Sequence, residues 1–187
     1  FGLLDMIFGR SFVARHVVAL LIIFFQAAFF GVLLINNKAY TENTYVPSLI
    51  FAVLCFFSFD VLTTSPELLA STVLLLALNN MFKEIEFKIQ RDETVVNLGV
   101  YLGITTLFVF SFWVFFPATL TILFVYGRLS ARKVGLLLFG FLLPHLIVLT
   151  LYFYWGEAGW LYTNFYRAHF SVNVATHLIS TSSLMVL

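Results

Sequence analysis

The sequence predicts an all-α integral membrane protein with about six to seven crossings, some of them short hairpins, and three observations point there. Hydrophobic residues fill 61% of the 187 positions and charged residues 10%, whereas a soluble domain carries about 25% charged residues. Mean hydropathy is +1.01, and 24 phenylalanines are more apolar surface than a water-soluble core of this size hides. The few charges gather in short islands between long apolar runs, the pattern expected when hydrocarbon is the solvent.

The elements follow in order. Val17 to Ile35 is apolar except for Gln26 and Gly31 and is long enough for one crossing. A polar connection (NNKAYTENTY, 36–45) leads to a second apolar run, Pro47 to Val61, which contains Asp60 and the single cysteine, Cys55. A tight turn follows, and then Leu68 to Phe82. Ser65 reads as the N-cap, Pro66 as the first helical residue and Glu67 as a first-turn acid. Each of these two runs spans only about 22 Å as a helix, so we expect a short hairpin whose turn tucks beneath one membrane surface.

Residues 83–94 (KEIEFKIQRDET) carry three basic and four acidic side chains, and Ile85, Phe87 and Ile89 suggest an interfacial piece. Val95 to Tyr126 then runs 32 residues without a charge. A single helix of that length is about 48 Å, well beyond a hydrocarbon core of about 30 Å. We therefore expect a hairpin bent at Ser111 to Pro117, because a proline disfavours helix at the residue before it, Phe116. Gly99 and Gly103 form a G-x-x-x-G face on which another helix can pack, or are glycines simply tolerated there. A basic loop (GRLSARK, 127–133) precedes another crossing, Val134 to Trp155, where Pro144 should kink the helix. Gly156 to Asn173 is aromatic and amphipathic, and the last run, from Val174, carries His177 and a Ser-Thr-Ser-Ser cluster.

The chain is expected to be one transmembrane domain, 1–187, of a longer protein, since it opens on Phe1 and stops inside an apolar run. Successive crossings place Lys38, Lys83, Lys88, Arg91, Arg128, Arg132 and Lys133 on one side and Arg10, Arg15 and Arg167 on the other. The positive-inside rule makes the first set, with the Lys83–Arg91 and Arg128–Lys133 loops, cytoplasmic.

Few residues can carry chemistry. Asp60 and Glu67 lie at the outer ends of neighbouring helices, where a carboxylate can serve as general base, metal ligand or proton relay. The alternative is two turn-capping acids in interfacial water. His145, next to the kink proline, can ligate haem or contact a quinone, or be an ordinary core histidine; the cofactor question stays open. His169 and His177 lie about 80° apart on an ideal helix, a poor metal or haem pair. Glu157, Trp160, Tyr162, Tyr166 and Arg167 make an outer-face aromatic platform at headgroup level, or a solvated interfacial helix. The chain has no Walker A loop, G-x-G-x-x-G, C-x-x-C or H-E-x-x-H sequence, and no basic tract suited to nucleic acid.

Two resemblances can be placed on these residues. The stretch LTTSPELLASTVLLLALNNMF, the charged loop and LGVYLGITTL…FFPATLTILFVYGRLSARKVGLLLFGFLLPHLIVLTLYFYWG resemble the helix-pair region of the GT-C superfamily of membrane glycosyltransferases. Pro66-Glu67, Gly99/Gly103, Pro117 and Arg128/Arg132/Lys133 occupy the recurring places. The resemblance implies a lipid-linked sugar donor, with Asp60 or Glu67 as base or metal ligand. The chain departs from that family in lacking a first outer loop with a well-placed acid, unless it precedes Phe1 or is Asp5.

The start, MIFGRSF…ALLIIFFQAAFFG, together with LLALNNMF and FFPATLTILF, resembles an uncharacterised family of polytopic inner-membrane proteins of gliding bacteria with type 9 secretion. The expectation is a non-enzymatic or degenerate GT-C-like subunit of an envelope membrane complex, in contact with the bilayer and other membrane subunits. The alternatives are a GT-C-type transferase and a haem- or quinone-contacting respiratory subunit.

Overall fold

The structure, a computed structural model, describes residues 12–37, 44–57, 65–86, 92–128, 130–161 and 163 of the chain. Among them there is no strand. The elements are α1 (Phe12–Asn36), α2 (Val46–Phe57), α3 (Pro66–Glu86), α4 (Asp92–Phe108), a 3-10 turn (Phe110–Val114), α5 (Phe115–Val125), α6 (Ala131–Tyr154) and the single turn α7 (Ala158–Leu161). Among the described residues three helices are long and apolar enough to cross a membrane: His16–Asn36, Pro66–Ile85 and Ala131–Tyr154. Val46–Cys55 and Phe110–Val125 are shorter apolar helices. Large apolar side chains such as Phe24, Phe25, Leu49, Leu54, Phe139 and Phe153 lie exposed along them, on a scale that marks a surface facing something other than water.

The chain forms two compact units, Phe1–His145 and Leu146–Leu187. The core of the first is built from Ala77 and Met81 of α3, Val95, Leu98 and Leu102 of α4, Leu123 of α5, and Leu137 and Phe141 of α6. A second cluster joins Ala19 and Ile23 of α1 to Leu68 of α3.

Local chemistry explains the boundaries. Ser65 Oγ accepts from the Leu68 amide at 3.3 Å, so α3 starts with the cap and proline that its sequence calls for. The helix then runs to Glu86, past the Phe82 at which apolarity ends. It continues because Glu84 finds a buried partner, described below. Asp92 and Glu93 occupy the first turn of α4, where the helix dipole favours acids. The charged segment is thus divided between two helix ends, with residues 87–91 outside the described residues.

The turn after α4 also lies earlier than the proline suggests. Val109 is extended (φ −139°, ψ 106°), the 3-10 turn follows, and Phe116 is helical with Pro117 as the third residue of α5. A proline there costs no hydrogen bond, because the first amides of a helix have no intrahelical acceptor. Pro144 sits inside α6. The ends of α5 and α6 share one device. Gly127 (φ 64°) and Gly156 (φ 76°) adopt the left-handed conformation, and the next amides, of Arg128 and Glu157, donate back to Leu123 O and Tyr152 O.

Candidate functional site

Of the buried polar side chains described in the first unit, Gln26, Glu84 and Lys133 reach neighbouring helices, while Thr105, Thr106 and Thr119 donate to carbonyls of their own helix. Gln26, in the middle of α1, is 3% exposed. Its Nε2 donates to Leu68 O, Ser71 Oγ and Thr72 Oγ1 of α3 at 2.9, 3.0 and 2.6 Å. Ser71 and Thr72 in turn donate to Leu68 O at 2.8 and 3.1 Å. Gln26 Oε1 is enclosed without a partner, which for a buried acceptor costs about 1–3 kcal/mol.

Beside this contact lies a groove of about 530 Å³, walled by Ile22, Phe25 and Phe29 of α1, Leu69, Val73, Leu75 and Leu76 of α3, and Phe108 of α4, with Gln26 and Thr72 among its lining. A smaller cavity of about 190 Å³ lies within α3, α4 and α5, against Ala77, Leu98, Phe115 and Ile122. On the α2 side of α1, a Cβ on Gly31 would collide with Ser48 Oγ.

The helix ends meet at a charged junction. Lys133 of α6 and Glu84 of α3 form an ion pair with side chains 4% and 2% exposed. Arg132 pairs with Asp92 of α4 at an exposed position. Arg128 Nη2 donates to Ile85 O at 3.0 Å, near the end of α3, and Ser130 Oγ caps α6 by accepting from the Lys133 amide at 3.3 Å. The loop whose charges orient the chain in the sequence therefore also ties three helix ends together.

The buried pair was missed, although a signal for it exists. Glu84 continues the buried row Ala77, Met81, and Lys133 opens the buried row Leu137, Gly140, Phe141, Pro144. Charges at helical spacing on two inward faces point to a pair, because either alone is prohibitively costly to bury.

Gly99 and Gly103 lie on α4 against α6. A Cβ on Gly99 would strike Leu137 O, one on Gly103 would strike Phe141 O, and one on Gly140 of α6 would strike Val96 O. The two backbones thus touch, the approach that small residues permit in membrane helices. Just beyond them, His145 Nε2 is 3.4 Å from Thr106 Oγ1 and its Nδ1 is 3.2 Å from Phe141 O. Its ring packs on Phe141. A haem iron or quinone would have to displace one of these contacts.

Of the predicted acids, Glu67 is exposed in the first turn of α3, and Asp60 lies outside the described residues. In the second unit, Tyr152 stacks on Trp160 (centroids 6.1 Å, planes 6° apart) and meets Trp155 edge-on at 6.4 Å. Glu157 is exposed in the turn between these rings. Tyr162, Tyr166, Arg167, His169 and His177 lie outside the described residues. Among the described residues, no three His, Cys, Asp or Glu side chains converge as metal ligands. Comparison with known proteins finds no family model, no characterised protein and no solved structure that matches this chain.

Proposed function

We propose that this chain is a multi-pass protein of a bacterial inner membrane and acts as a non-enzymatic, GT-C-like subunit of an envelope complex. The observation that supports this reading is the groove between α1 and α3. It is apolar, its volume falls in the range of ligand sites, about 300–1,000 Å³, and it lies between two helices long enough to span a bilayer. A transmembrane helix of a neighbouring subunit is the occupant we assign to it. The polar groups nearby are turned onto α3, so a partner there would bind by close apolar packing.

Extraction in a mild detergent followed by mass spectrometry tests the reading. We expect stoichiometric partner proteins, and we expect Leu76→Trp, which fills the groove from α3, to release them while the chain stays folded. A solitary chain carrying a polyprenyl-linked sugar would overturn it.

In the same reading the three long spans, α4 and the two shorter apolar helices supply six crossings and the run from Val174 begins a seventh, with the Lys83 and Arg128–Lys133 ends cytoplasmic. In a Cys55→Ser background, Lys83→Cys should react with an impermeant thiol reagent only from inside, and Glu157→Cys only from outside.

A second reading, a transferase using a lipid-linked sugar, is favoured by one observation. Glu67 is exposed at the start of α3, directly after Pro66. Glu67→Gln or Asp60→Asn should then lower activity by orders of magnitude with normal insertion; unchanged function in cells would sink it.

A further inference from the structure

The turn that ends α6 concentrates negative potential and aromatic surface at one point. α6 has no basic residue in its last turn, so among the described residues no cationic side chain on it offsets the partial negative charge of its C-terminal end. Glu157 follows immediately, is exposed, and is the only charged side chain among the described residues of the second unit. Three rings surround the turn, with Trp155 66% and Trp160 55% exposed and Tyr152 holding both in place by its ring contacts. The Gly156 conformation and the Glu157-to-Tyr152 backbone bond hold the turn in shape.

A carboxylate, a helix C-terminus and exposed tryptophan faces all attract the same chemistry, a cation that is partly apolar. At the end of a membrane-spanning helix, the abundant cation of that kind is the ammonium group of a zwitterionic phospholipid. We propose that the turn from Tyr152 to Trp160 binds the ammonium headgroup of such a lipid, with Glu157 opposing its charge and a tryptophan face covering it. This inference rests on the reading of α6 as a membrane crossing.

The test uses the whole chain in vesicles. Trp113→Phe leaves Trp155 and Trp160 as the only tryptophans, since the chain has three. The protein is reconstituted into phosphatidylglycerol vesicles that contain a phosphatidylcholine spin-labelled on its ammonium group. Quenching of tryptophan emission is compared with that by a phosphatidylglycerol carrying the same label on its headgroup. Flotation of the vesicles first checks insertion, so a chain that fails to float overturns the membrane reading before any lipid preference is measured.

With insertion established, we expect the ammonium lipid to be enriched about two- to fivefold at the tryptophans. Glu157→Gln should remove most of that preference. Trp160→Leu, which keeps apolar bulk without the ring face, should reduce it through the remaining tryptophan. Equal quenching by the two lipids, or a preference that survives Glu157→Gln, would overturn the proposal. A preference that appears only in Arg167→Ala would also overturn it, because the chain's own arginine would then be the cation that Glu157 takes.

Discussion

Where α1 meets α3, a glutamine reaches across and binds the neighbour's backbone and hydroxyls; where α4 meets α6, side chains are withdrawn and Gly99, Gly103 and Gly140 let the backbones touch. The first contact leaves a groove of about 530 Å³ at its side. The second encloses Leu98, Leu102, Leu137 and Phe141 in the main core. Lipid tails are as apolar as leucine, so burying apolar surface between membrane helices gains little. Each crossing needs another source of cohesion. A polar bond is local and tolerates a loose surround, whereas backbone contact depends on close fit along several turns. The Glu84–Lys133 pair links the two regions, since it joins α3 to α6.

Breaking that link should have the largest effect. Lys133→Met leaves Glu84 buried without its countercharge, which costs about 3–5 kcal/mol. Thermal unfolding in detergent should show it, and Glu84→Leu added to Lys133→Met should restore most of the loss. If the double variant were no better than the single, the pair would not be the cause.

Gly99→Ala comes next. Its methyl meets backbone atoms of α6, which have no rotamer to escape into, so the helices must part at a cost of about 1–3 kcal/mol. Gly135→Ala is the control, because nothing lies within contact of a Cβ there, and it should be neutral or slightly stabilising through helix propensity. Equal effects at the two positions would remove the case for a glycine seam.

Gln26→Leu should cost less, about 0.6–1.7 kcal/mol, the scale of interhelical hydrogen bonds in membranes. Relief of the enclosed Oε1 offsets part of the loss. The comparison predicts that it weakens α1–α3 alone: a disulfide trap between α4 and α6 should form at the wild-type rate. The smallest change is expected from Arg132→Ala, whose pair with Asp92 is exposed. About 0–1 kcal/mol is expected, vanishing as salt is raised; a larger, salt-independent loss would show that Arg132 supports the junction by packing.

How much of this could be read from the residues differs from place to place. The start of α3 was legible because Ser65, Pro66 and Glu67 act through their own backbone. Its end was not. Hydropathy stops at Phe82, yet Lys133, remote in sequence, lets the helix carry Glu84 inward. Pro117 misled for a related reason: in the first turn of a helix a proline costs no hydrogen bond, and only the path of Val109 and the 3-10 turn shows that the break lies several residues before it. The glycine spacing of Gly99 and Gly103 offered a packing face, but the facing residues, Leu137, Gly140 and Phe141, were not specified by it. Glu67 and Trp160 were singled out by residue type and position, while the Gln26 contact went unread because a lone glutamine in an apolar run carries no direction.

The sequence by itself determined the helical class, the apolar spans of α1 and α6 and the cap that starts α3, because these follow from solvent transfer and short-range backbone chemistry. Only the tertiary structure decided which polar groups meet, which faces of the helices touch, and where a groove is left between them. Those outcomes depend on pairs of residues remote in the sequence, such as Gln26 with Leu68 and Glu84 with Lys133, and no local pattern encodes the partner.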